Sequence, residues 1–115
     1  MNDVQETASS RSTRIKLHKP EDFEGMRKAG RLTAEALDLI TPLVKPGTTT
    51  DTLDRFIVEF ARDNKAIPAP LNYRGYTKSI CTSINHVVCH GIPNDTPMRE
   101  GDIVNIDVTL IVDGW

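Results

Sequence analysis

The sequence predicts an α+β fold in which two helices precede an antiparallel sheet, and three observations carry that prediction. Apolar residues recur at three-to-four spacing between residues 20 and 63. The period falls to two after residue 78. Between the two regimes stands Ile67-Pro68-Ala69-Pro70, which neither a helix interior nor a central strand tolerates. At 115 residues the chain has the size of one domain, with room for one modest core.

Residues 1–19 are rich in Ser and Thr and carry four basic groups (Arg11, Arg14, Lys16, Lys19) against two acidic ones (Asp3, Glu6), the pattern of a flexible polar tail. They hold no apolar run of the length a secretory signal needs, and the two carboxylates argue against a transit peptide, which makes a cytoplasmic location the expectation. Pro20-Glu21-Asp22 opens the first helix, because proline suits a first turn and carboxylates there complement the helix dipole. Met26, Gly30, Thr33, Leu37, Ile40 and Val44 form its expected core-facing stripe, ending near Thr41-Pro42. After the turn Lys45-Pro46-Gly47, the run Thr48-Thr49-Thr50-Asp51 offers N-caps for a second helix. The stripe of that helix is Leu53, Phe56, Ile57, Phe60 and Ala61.

Leu71 to Tyr76 form an aromatic loop. Ser79 to Ile84 then alternate as a strand, Asn85-His86 has the character of a tight turn, and Val87 to His90 continue the strand pattern. The expectation is a hairpin with Cys81 opposite His90 and Thr82 opposite Cys89. Gly91 to Pro97 are turn-rich, and a last strand is expected from Ile103 to Val112, closed by Asp113-Gly114. One of its faces, Val104, Ile106, Val108, Leu110 and Val112, is uniformly apolar. The other, Ile103, Asn105, Asp107, Thr109 and Ile111, is apolar at both ends and polar in the middle, which reads as a covered surface with a polar island on Asp107. A half-exposed strand bearing one solvated Asp is the competing reading.

Composition removes several classes of function. Fourteen basic and sixteen acidic residues leave a net charge of −2, with no footprint for nucleic acid or anionic lipid. No run approaches the roughly 18 to 20 apolar residues of a membrane-spanning helix. The two cysteines fall on opposite faces of the expected hairpin and are poor partners for a disulfide. Zinc on Cys81, Cys89 and His90 lacks the paired ligand spacing of a structural site, and adjacent strand residues point apart. Cys81 and His90 on one face would make the wall of a pocket; ordinary packing is the alternative. Tyr73 and Tyr76 either line such a pocket or pin their loop to the core. Thr77-Lys78-Ser79 lacks a phosphate loop's glycines, and His18 and His86 carry no signal beyond tail and turn.

Three stretches together carry more. YRGYTKSICTSINHVVCHGIP (Tyr73 to Pro93), GDIVNIDVTLIVDGW (Gly101 to Trp115) and EDFEGMRKAGRLTAEAL (Glu21 to Leu37) closely resemble the N-terminal part of the type I methionine aminopeptidases, in their bacterial form. The resemblance implies the N-terminal half of a pita-bread fold, two pseudo-symmetric halves around a two-metal centre, and the removal of initiator methionine from new polypeptides. By position, Asp107 in NIDVT matches a carboxylate ligand of that centre. His90 in VCHGIP matches the catalytic histidine, which also touches substrate. Tyr73, Tyr76 and Cys81 match the pocket for the methionine side chain, and the backbone carbonyls of Asn85 and Val87 match a monovalent-cation site.

The implied cofactors are two divalent metal ions, drawn from iron(II), manganese, cobalt or zinc, and a monovalent cation. In the implied mechanism two divalent ions deprotonate a shared water for attack on the amide, and His90 stabilises the charge that develops. Implied partners are nascent polypeptide N-termini beginning with Met, with the ribosome as a site of association; a monomer is expected, and neither nucleic acid nor membrane. Thr77 stands where many relatives have proline, and Arg74 and His86 also differ from common relatives. In the family a Gly-Asp step, a histidine and two glutamates supply the remaining ligands beyond the position of Trp115. Residues 20–115 are therefore expected to be the N-terminal part of the catalytic domain, inactive alone with one of five ligands. The competing functions are a non-catalytic binding module of the same fold and a related peptidase acting on proline peptides.

Overall fold

A computed structural model describes residues 14–115, so the expected tail lies outside the described residues up to position 13. Residues 14–19 are exposed and have no regular structure. The first helix, α1, spans Pro20–Ile40, and its Asp22 carboxylate reaches back to accept the backbone N–H of Lys19 at 2.8 Å. A single 3₁₀ turn, Thr41–Leu43, ends it at the expected Thr41-Pro42 step. The second helix, α2, spans Thr50–Asp63 with Thr49 as N-cap, its hydroxyl accepting from the Thr52 N–H at 3.2 Å. Lys65, in left-handed backbone (φ 57°), turns the chain out of α2.

The buried face of α1 differs from the expected stripe. Ala29, Ala36 and Ile40 are buried and Leu32 packs against the core, whereas Met26 is 56% exposed and Gly30 and Leu37 are exposed as well. Ile40 and Val44 of the expected stripe do pack inward, while earlier in the helix the inward positions are Ala29, Leu32 and Ala36. Small alanines set this face because they let α1 lie close to α2 and the sheet, and large apolar residues dominate a pattern search even where they face water. On α2 the reading holds: Leu53, Ile57 and Ala61 are buried, and the part-buried Phe56 and Phe60 stack at 6.3 Å.

The sheet is two short antiparallel pairs. Strand β1 (Ile67–Pro68) pairs with β4 (Leu110–Ile111), and β2 (Cys81–Ile84) pairs with β3 (Val104–Asp107). The expected hairpin does not form. Cys81 is opposite Asp107 rather than His90, and Thr82 is opposite Ile106 rather than Cys89. The reason is local: the Val87 N–H turns back to the Ile84 carbonyl at 3.1 Å, and His90 adopts left-handed backbone (φ 57°), which a ladder residue cannot do. The segment rejoins β2 through Gly91, whose carbonyl accepts the Thr82 N–H at 2.8 Å and whose N–H donates to Ser83 Oγ at 3.0 Å. There is no room for a side chain here, since a Cβ on Gly91 would run into the Thr82 carbonyl oxygen.

The last strand keeps its alternation but is divided between β3 and β4. Leu110 and Val112 are buried and Val104, Ile106 and Val108 pack against the core. On the other face Asn105, Asp107 and Thr109 are exposed and Ile103 is 71% exposed, while Ile111 is half-buried. The closing turn returns to α1: Trp115 lies on Gly25, 5.2 Å edge-on from His18, and Lys28 pairs with Asp113 at 2.8 Å. No helix among the described residues is long and apolar enough to cross a membrane.

Candidate active site

A cleft of about 720 Å³ opens between the loop after β1, the first residue of β2, the segment around His90 and the end of β3. Tyr73, Tyr76, Cys81, His90 and Asp107 all line it, together with Arg74. The loop is shaped by backbone that few side chains adopt. Asn72 (φ 68°) and Arg74 (φ 48°) are both left-handed, and the Asn72 N–H bonds the Tyr76 carbonyl at 2.8 Å. Between them Tyr73 stands exposed at the rim, with the Arg74 guanidinium 5.3 Å from its ring centre.

Tyr76 is turned inward. Its hydroxyl donates to the Ile80 carbonyl at 2.8 Å and receives the Cys81 thiol at 3.5 Å. Burial, then the Cys81 thiol beside it, then the charge of Asp54 push the phenol well above its ordinary pKa, so it is neutral throughout the working range. The wall here is thus an aromatic ring and a thiol. The same cleft also holds an imidazole and a carboxylate. His90 and Asp107 are both exposed to the cleft, and no side-chain partner holds Asp107 among the described residues.

Asn85 and Val87 do not line the cleft. They lie in the turn after β2, where the Asn85 side chain donates to Asp102 at 2.9 Å and accepts the Ile103 N–H at 3.1 Å. Cys89 is exposed and unbonded to Cys81. Among the described residues no three of His, Cys, Asp and Glu come together as a metal site. Asp107 by itself does not make a metal site.

One residue escaped the sequence reading. Asp54 is 7% exposed and its Oδ1 accepts the backbone N–H groups of Ser79 at 2.7 Å and Ile80 at 3.2 Å, immediately before Cys81. The signal was its spacing: Asp54 is three residues before Ile57 and seven before Ala61, on the inward face of α2.

Known proteins resemble this chain in both sequence and fold. Residues 24–115 match the model of metallopeptidase family M24. The methionine aminopeptidase of Rickettsia prowazekii is 63% identical over 101 residues, and that of Escherichia coli K12 is 54% identical over 103; each match covers 88% of this chain and 39% of the relative. The crystal structure of the Rickettsia prowazekii enzyme superposes with a TM-score of 0.87 over 89% of this chain and 41% of that one. The Thermotoga maritima methionine aminopeptidase, 33% identical, superposes at 0.83 over 88% of this chain and 41% of that one. The chain thus spans about 39% of the length of the curated relatives it matches. With its α+β architecture shared with part of the pita-bread methionine aminopeptidases, the chain belongs to metallopeptidase family M24.

Proposed function

We propose that the cleft is the substrate-binding side of a methionine aminopeptidase site, which releases the initiator methionine from nascent polypeptides in the cytoplasm, near the ribosome. The observation that carries this reading is the convergence of Tyr73, Tyr76, Cys81, His90 and Asp107 on one cleft from segments up to 34 residues apart in sequence. In it, Tyr73, Tyr76 and Cys81 receive the methionine side chain. His90 donates a hydrogen bond to the scissile amide and to the oxyanion that forms from it, a role for which a cleft-facing imidazole with no competing partner suits. Asp107 would contribute one carboxylate to a pair of divalent ions, iron(II), manganese, cobalt or zinc, whose chemistry there would be to activate a water. In this reading Asp107 alone is too few ligands for the pair, and the 115 residues by themselves do not release methionine. The carbonyls of Asn85 and Val87 belong, in this reading, to a monovalent-cation site at the turn after β2.

A chimera tests the reading. This chain replaces the matching segment of the Rickettsia prowazekii enzyme, and methionine release from a Met-Ala-Ser peptide is measured with added manganese or cobalt. Release is expected from the chimera and not from the 115-residue chain. Asp107→Asn is expected to abolish it, and His90→Ala to lower kcat by about a hundredfold or more, as for loss of one oxyanion donor. A chimera that stays active with Asp107→Asn overturns the assignment.

A further inference from the structure

Asp54 and the cleft are joined by a short chain of contacts. The bend at residues 79–80 precedes β2, so its two N–H groups have no ladder partner there. They point instead at one buried carboxylate oxygen, Asp54 Oδ1. One turn earlier on α2, Asp51 holds Lys78 at 2.8 Å, so two carboxylates of one helix grip three consecutive residues of the segment. What they grip is the base of the cleft wall: the Ile80 carbonyl takes the Tyr76 hydroxyl, and Cys81 follows directly and donates its thiol to the same hydroxyl. Charge-assisted bonds from a carboxylate to backbone N–H are short and strong, and a buried carboxylate without them is costly, so the 79–80 peptide and α2 are locked together.

We propose that Asp54 is a positioning residue of the cleft: by clamping the 79–80 peptide it fixes the Tyr76 hydroxyl and the Cys81 thiol as one rigid wall for the substrate side chain. That the wall receives methionine rests on the function proposed above, but the clamp does not, and it is read on Tyr76 and Cys81 themselves. Loss of the clamp therefore leaves α1 and α2 in place and frees the wall.

The 115-residue chain contains two tyrosines and two cysteines, so Tyr73→Phe with Cys89→Ser leaves Tyr76 and Cys81 as the sole reporters. In that background the rate of Cys81 alkylation by iodoacetamide and the ¹⁹F resonance of 3-fluorotyrosine at position 76 are compared for Asp54, Asp54→Asn and Asp54→Ala. Asparagine loses the charge and keeps an acceptor oxygen; alanine loses both. The expected result is a parent-like resonance and rate for Asp54→Asn. For Asp54→Ala the expectation is alkylation about tenfold faster and a resonance near its unfolded position, with unchanged helical circular dichroism. Ile57→Val, which loosens the same helix without touching the clamp, is expected to leave both readouts alone. Parent-like behaviour of a folded Asp54→Ala, or equal acceleration in Ile57→Val, overturns the proposal. Should the alanine variant not fold, Asp54→Ser, too short to span both amides, is judged by the same two outcomes. A chimera that releases no methionine while the clamp readouts behave as stated would strike the function alone.

Discussion

Cys81 stands directly across from Asp107 in the β2–β3 ladder, so the thiol and the carboxylate leave the sheet on the same side and meet the same cleft. Facing Cα atoms in an antiparallel pair lie about 4.5 to 5.5 Å apart, inside the range that a disulfide spans. In a Cys89→Ser background, Asp107→Cys is therefore expected to bridge to Cys81 under mild oxidation, with loss of both free thiols and a mobility shift on a non-reducing gel. Preferential bridging of His90→Cys would reinstate the local hairpin.

Gly91 is the point where the backbone after the turn comes closest to β2, bonded to it on both sides by Thr82 and Ser83. A methyl group there meets a carbonyl oxygen, which cannot swing away as a side chain tip can. Gly91→Ala is expected to cost about 3 kcal/mol, the upper end of overpacking penalties, and to lower the urea midpoint accordingly. An unchanged midpoint would mean that the 90–92 segment is not held against β2.

The obstacle at Gly25 is of the softer kind, the edge of an indole. Gly25→Ala is expected to push Trp115 off α1 while gaining helix propensity, so stability changes little. Since Trp115 is the sole tryptophan, its emission reports the move directly. A red shift is expected on substitution, and an emission maximum identical to the parent's would place the ring elsewhere.

Asp102 closes the far end of the β2–β3 pair. The Arg99 N–H, then the Asn85 side chain, bond its carboxylate and hold its pKa below the ordinary 3.8. A depressed folded value means that the native state binds the proton less readily than the unfolded chain does. The stabilisation is then full above pH of about 4 and is lost as the pH falls through the lowered value. An NMR titration is expected to show the Asn85 side-chain amide moving in step with Asp102 in that acid window, and Asp102→Asn is expected to abolish the transition.

Both helices were legible because their starts are chemical: Pro20 with two carboxylates, and Thr49 as a hydroxyl cap. Of the seven positions that the long motifs single out, five line one cleft, and Asn85 and Val87 do not. The strand pairing was not legible. A pattern of alternation says which face a residue takes and nothing about which strand it meets, so it does not separate the nearest segment from the true partner 17 residues further on. Left-handed backbone at a histidine has no sequence mark. Asp54 is hidden in the sequence because a charged residue on a helix usually faces water, although its spacing places it with Leu53, Ile57 and Ala61.

The pairing of β2 with β3 also dictates an order of events in time. Residues 81 and 107 must find each other across 25 intervening positions, and β1 must wait for β4 across still more. Loop closure of that kind is slow, whereas α1 and α2 form from neighbouring residues. The helical layer therefore has every reason to assemble first and serve as the template, with the cleft the last feature of the molecule to appear. Any agent that traps the chain before that step would find two formed helices and an apolar β3 edge without its partner, the form of this protein most prone to aggregate.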